Sequence, residues 1–191
     1  MYYKSEIEGV VRVDPKLFNE NLDEAIMAQL KEDYIGQVDE TIGRIIKILN
    51  IAKIGEGVIV AGDGAAFYKV IFTAIHNIPE IQEIIEGEIR DIAKFGAFID
   101  FGAFEGMVHI SQTMDDFVSI SKQGTLQGKD SKKVLKKGDK VRARVVAVSI
   151  KDVNEPKIGL TMRQEYLGKL EWIEEQVKKE QKAAAKIAKA K

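Results

Sequence analysis

Cysteine is absent from the chain, and its 191 residues include only three prolines, two histidines and one tryptophan. Without cysteine there is no disulfide, no thiolate nucleophile and no cysteine zinc site, which fits a reducing compartment. His76 and His109 lie far apart, so they do not assemble a zinc tetrad or a nucleophile–base–orienter set. Asp115 and Asp116 are adjacent, so their side chains diverge in a strand and are solvated in a loop. No apolar run approaches the ~20 residues that cross a bilayer. The start, MYYKSEIEG, lacks the apolar core of a signal peptide. These absences lead us to expect a cytoplasmic protein that is not catalytic by itself and has no metal and no cofactor. A net charge of −1 also argues against strong, sequence-independent nucleic-acid binding by the chain as a whole.

What is present is unevenly spread. Residues 1–82 carry 8 Lys and Arg against 13 Asp and Glu, whereas residues 83–170 carry 15 against 13. Between Lys122 and Arg144 nine basic residues face only Asp130 and Asp139, a local band able to attract phosphate. The three prolines punctuate the chain. Asp14-Pro15 stops an apolar strand over residues 2–13 and suits a helix start. Leu22, Ile26 and Leu30, with Ala25 beside them, then make one apolar stripe of a helix to about Asp33, which Gly36 ends. Residues 37–52 are rich in Ile and Val and read as strand. Gly55-Glu56-Gly57, a short strand at 58–61 and Gly62-Asp63-Gly64 follow, and the glycine pairs imply hairpin turns or an exposed loop. They are not a phosphate loop, because the third glycine of a dinucleotide fingerprint and any Gly-Lys-Ser/Thr are missing. Another long strand covers residues 65–78, and Pro79 marks a seam.

Beyond that seam the pattern is all strand, with a polar, lysine-rich insert over residues 112–137. The stretch KFGAFIDFGAFEGMVHISQ, residues 94–112, sets Phe95 and Phe98 around Gly96 and puts His109 on the next strand. Phenylalanine is usually core. Here the two rings are interleaved with Lys94 and, later, with Arg142 and Arg144, which project from a strictly alternating VRARV strand. Rings and cations so arranged form a surface on which unpaired bases stack. Five short strands within ~80 residues fit a small closed barrel. From Leu170 onward the pattern is helical and ends in a lysine-alanine tail whose last turns are expected to fray.

The FGAF and EGMVHIS segments resemble the S1-type RNA-binding domain, a five-stranded OB barrel. The resemblance puts Lys94, Phe95, Phe98, His109, Arg142 and Arg144 at an RNA face. Ser149 and Gly159 stand where that family often carries an acidic residue and an arginine, which implies low sequence selectivity. YYKSEIEGVVRVDPKLF, IGEGVIVAGDGAAFYKVIF, IPEIQEIIEGEI and LTMRQEYLGKLEWIEE extend the likeness over nearly the whole chain. Together they resemble the stalk subunits of archaeal DNA-directed RNA polymerase, called E-prime, counterparts of the seventh subunit of eukaryotic RNA polymerase II. That likeness implies an α+β N-terminal domain (residues 1–80) with a small antiparallel sheet and one main helix. An all-β five-stranded OB-type barrel (81–170) and a C-terminal helix with a lysine-rich tail (171–191) follow. It further implies that Gly55, Gly57, Gly62, Asp63 and Gly64 form a loop docking on the polymerase core. The small helical F component of the RNA polymerase would be the heterodimer partner, and emerging single-stranded RNA the ligand. A free-standing S1-type protein of translation or RNA decay is the alternative.

Overall fold

Isoleucines recur every third residue at Ile45, Ile48, Ile51 and Ile54, a spacing that matches neither a flat strand nor a helix. The computed structural model, which describes residues 1–19, 21–121 and 124–189, resolves the conflict with bulges. It divides into two units, Met1–Ile78 and Pro79–Lys191.

In the first unit β1 (Tyr2–Val13), β2 (Val38–Asp39), β3 (Gly43–Ile59) and β4 (Ala66–Asn77) form an antiparallel sheet in the order β1-β4-β3-β2. Seventeen residues of β3 run beside twelve of β4. The register slips after Ile45, Ile48, Ile51 and Ile54, leaving Ile46, Leu49, Ala52 and Gly55-Glu56 as extra residues. The first three slips return Ile48, Ile51 and Ile54 to the face under α1 (Leu22–Tyr34). There Ala25, Ile26 and Leu30 of the helix close on Val11, Val70 and Phe72. Tyr34 meets Phe72 edge-on, with ring centroids 5.2 Å apart.

Two expectations are corrected here. The helix does not start at Asp14-Pro15: Asp14 caps only a 3-10 turn over Pro15–Leu17, and Asn21 supplies a second cap from which α1 begins. Leu22 is exposed, so the buried stripe starts at Ala25. Gly55 and Gly57 are not a turn, because β3 runs through them to Ile59. At Gly57 an added Cβ would stand 2.7 Å from the Tyr68 ring, which would have to swing aside. The chain reverses only over residues 60–65, where Gly62 takes φ +92°.

The second unit contains β5 (Ile84–Ala93), β6 (Gly96–Asp100), β7 (Glu105–His109), β8 (Val118–Ile120), β9 (Leu126–Gly128), β10 (Val134–Leu135), β11 (Lys140–Ser149), β12 (Lys157–Thr161), β13 (Gly168–Lys169) and α2 (Leu170–Lys189). Strand order is β12-β7-β6-β5-β11-β13, and β12 also pairs with β11. That pairing closes five strands into an OB-type barrel around Ile89, Ile99, Val108, Val141, Val145 and Leu160. The insert at 112–137 is more than a polar loop. It folds as the sheet β10-β9-β8, pinned by the buried Met114, Leu126 and Leu135. α2 is fixed at its start by the buried Ile173 and by Lys169, whose ammonium lies 3.1 Å from Asp139 and 2.6 Å from Glu171. Its helical backbone reaches Lys189. Lys122 of the basic band and the tail's Ala190 and Lys191 lie outside the described residues.

Phe72 has no exposed surface, and truncating such a ring typically costs about 3–5 kcal/mol. Phe72→Ala should therefore lower the urea midpoint of the full chain, with hydrogen-exchange protection lost first in β1, β3 and β4.

Candidate nucleic-acid interface

The face is built on a close approach of two strands. β6 and β7 pair as Gly96↔His109, Ala97↔Val108, Phe98↔Met107 and Ile99↔Gly106. Ala97, Ile99 and Val108 point into the barrel and are fully buried. Alternation therefore sends Phe98, Met107 and His109 outward together. At Gly96 an added Cβ would lie 2.0 Å from the Val108 carbonyl oxygen, so no other residue fits there. Lys94 and Phe95 are the two-residue turn between β5 and β6, which pair at Ala93↔Gly96. The turn is tied down by Ile110, whose N–H donates to the Phe95 carbonyl at 2.9 Å.

Phe95 is 52% exposed and meets the half-buried Phe98 edge-on, with centroids 5.9 Å apart and planes at 88°. The pair fixes both rings while leaving ring surface open. His109 is exposed. Its Nδ1 accepts from the Ser111 N–H at 3.3 Å and lies 2.8 Å from the Ser111 hydroxyl. The Ser111 N–H can only donate, so Nδ1 is the acceptor and Nε2 is the ring nitrogen left to carry a proton. Sequence reasoning missed Met107, which is 36% exposed between the rows of Phe98 and Gly159. The alternation of EGMVH carried that signal. Gly159 adds no side chain, so the row Phe98, Met107, Gly159 flattens toward β12.

Arg142 and Arg144 do not join this group. They project from β11, which neighbours β5 and β12 rather than β6 or β7. Arg142 gives two hydrogen bonds to one oxygen of Glu86, at 2.9 and 2.7 Å, and Arg144 one to Gln82 at 3.3 Å. An acidic row also crosses the barrel, Glu88↔Asp100↔Glu105, with Arg90 paired to Glu105. The positive charge beside the rings is Lys94 in the turn. The arrangement offers stacking and a hydrogen-bond donor, with phosphate attraction concentrated at one end. Among the described residues no group of His, Asp or Glu could hold a metal ion.

In the first unit the hairpin tip is held by Asp63. It accepts a fork from Arg12 at 3.0 and 2.8 Å and a bond from the Ala65 N–H at 3.1 Å. The Arg12 bonds and then the Ala65 amide hold the Asp63 carboxyl below its ordinary range. Beside it Val58, Ile59 and Val60 are exposed, Ile59 by 72%. Sequence reasoning chose the glycines of this region and passed over its apolar residues.

In the second unit Asp116 is a hub. Its carboxylate accepts from the N–H and hydroxyl of Ser131, both on Oδ2 at 2.8 and 2.7 Å, and from the amides of Asp130 and Phe117. The Ser131 bonds, first among these, lower its pKa from the ordinary 3.8.

Residues 8–64 match the SHS2 domain found in the N terminus of Rpb7p and Rpc25p, and residues 78–163 match the S1 RNA-binding domain. The chain is 41% identical to the DNA-directed RNA polymerase subunit Rpo7 of Saccharolobus solfataricus, over 91% of this chain and 97% of that one. To the Rpo7 subunit of Sulfolobus acidocaldarius it is 38% identical, over 95% and 100%. To subunit rpc8 of RNA polymerase III of Schizosaccharomyces pombe it is 28% identical, over 55% and 52%.

Because the folded-state pKa of Asp116 is depressed, its contribution is present above 3.8 and disappears as pH falls below that value toward the folded pKa. At neutral pH, Asp116→Ala should speed amide exchange at Asp130 and Ser131. Acidification of the parent protein should produce the same local loosening, and that acid effect should be missing from the variant.

Proposed function

The chain belongs to the Rpo7 family of DNA-directed RNA polymerase subunits, and from that premise we propose how its parts divide the work of a non-catalytic stalk subunit. The observation that carries the reading is the outward cluster of Phe95, Phe98 and His109 on a barrel that matches the S1 RNA-binding domain. Stacking on rings is indifferent to base identity, so the face suits a protein that meets any transcript leaving the enzyme during initiation, elongation and termination. Lys94 and the outer nitrogens of Arg142 and Arg144 supply phosphate attraction, weaker at the arginines because Glu86 and Gln82 already engage them. The near full-length likeness to polymerase subunits favours this role over a free-standing RNA-binding protein.

The docking contact with the polymerase core falls at the hairpin tip, through Val58, Ile59 and Val60. Gly62 and Gly64 allow the reversal, and Asp63 with Arg12 fixes its angle; Gly55 and Gly57 act farther back, by letting β3 curl. The F component of the polymerase is the heterodimer partner in this reading. Exposed Val10, Phe18, Ile46 and Leu49 supply apolar surface of the kind a permanent partner covers. A cytoplasmic location fits the absence, among the described residues, of any helix long and apolar enough to cross a membrane.

Two measurements test the division. Phe98→Ala should weaken binding of a single-stranded oligoribonucleotide roughly 5- to 100-fold at fixed salt, and Arg142→Ala should cost several-fold less. Equal losses would return the arginines to the centre of the site. Ile59→Asp should lower the fraction of this protein retained on polymerase core in a pull-down while leaving RNA affinity within twofold (about 0.4 kcal/mol). Full retention would remove the tip from the docking surface.

A further inference from the structure

Phe117 is the most exposed of the large apolar side chains described, at 80%. It is also rigidly presented. Its N–H donates to Asp116 at 2.6 Å, its carbonyl accepts from the Lys129 N–H at 2.9 Å, and the next residue enters β8. A ring held in water by an ordered backbone has no role in the core of the insert. It borders an open cavity of about 720 Å³, which is ample for a nucleobase.

Two further walls of that cavity bear on its ligand. Ser111, whose hydroxyl meets His109, forms one, so the cavity opens where the aromatic face of the barrel ends. Arg163 forms the other. Its Nε donates to Asp115 Oδ1 at 2.9 Å and its Nη2 forms an ion pair with the same oxygen at 2.8 Å, while the side chain stays 52% exposed. The carboxylate orients the guanidinium along the cavity wall, and a half-open guanidinium is a flat plate for stacking. Asp115, Asp116 and Asp130 line the same space and repel phosphate. A nucleotide would therefore enter base first, with its phosphate left outside, where Lys129 and Lys132 are exposed.

We propose that the cavity between the insert and the barrel, bounded by Phe117 and Arg163, is a second base-stacking site for single-stranded RNA, taking an unpaired base beyond those on the Phe95–Phe98–His109 face. The proposal rests on the reading of that face as the primary RNA contact. It makes the inserted sheet an extension of the barrel's footprint along the strand.

The test uses the full chain and two oligoribonucleotides, about 4 and about 12 nucleotides long, near the limits of what one such barrel covers. Phe117→Ala and Arg163→Lys should each weaken the longer RNA roughly 5- to 100-fold and leave the shorter unchanged. Phe117→Trp, which keeps a ring, should restore the longer. Phe98→Ala should weaken both. A Phe117→Ala variant with undiminished affinity for the longer RNA, beside a weakened Phe98→Ala, would overturn the second site and spare the face. Equal weakening of both lengths by Phe117→Ala would make the ring part of the primary face and equally overturn a separate site. No effect of Phe98→Ala on either length would overturn the face itself, and the second site with it. An unchanged thermal midpoint for Phe117→Ala shows that any loss is not unfolding.

Discussion

Everything on the outward face of the barrel depends on how closely the main chains of β6 and β7 meet. At Gly96 there is no room for even one methyl group, with the Val108 carbonyl oxygen 2.0 Å from where a Cβ would stand. A side chain there would force the strands apart, so this close approach goes with the observed register, and the register decides the rest. It sends Ala97, Ile99 and Val108 inward, gathers Phe98, Met107 and His109 outside, and puts Phe95 in the turn where its edge supports Phe98. A one-residue slip would exchange the two sets.

The same logic explains which parts of the molecule are legible in its residues. The barrel strands are legible because alternation has one solution: VRARV buries Val141, Ala143 and Val145 and leaves both arginines half-buried on the outer side. The rings and His109 are legible because they sit in a recognisable spacing. The partners of the arginines are not, since Glu86 lies in a different strand and meets Arg142 only through β5–β11 register. The limits of β3 are hidden because glycine ordinarily punctuates a chain. Here it serves close packing against Lys69 and Tyr68, inside a strand that bulges every third residue. The inserted sheet is hidden because the buried Met114, Leu126 and Leu135 are spaced too widely among polar residues to show a period. Phe117 goes unmarked because an exposed ring has no signature in sequence.

Charge follows a parallel division. The tip of the first unit is stiffened by Arg12 with Asp14 and Asp63, and this network lies at the surface. Its strength will therefore depend on salt. In the second unit Lys169 is nearly buried between Asp139 and Glu171, where it anchors α2 far less sensitively to the ionic medium. On the proposed reading, a salt-sensitive tip suits seating on a partner, while the fixed start of α2 holds the barrel's own edge in shape.

If the barrel face holds RNA as proposed, the Arg142–Glu86 pair bears on how a strand would move across it. A guanidinium that already owns a carboxylate gains little by meeting a phosphate, since one charge-assisted contact is traded for another. Such a surface presents low friction. On the proposed reading, a strand crossing it would meet no deep electrostatic minimum at any one step, and would be gripped at the rings and only guided by the arginines.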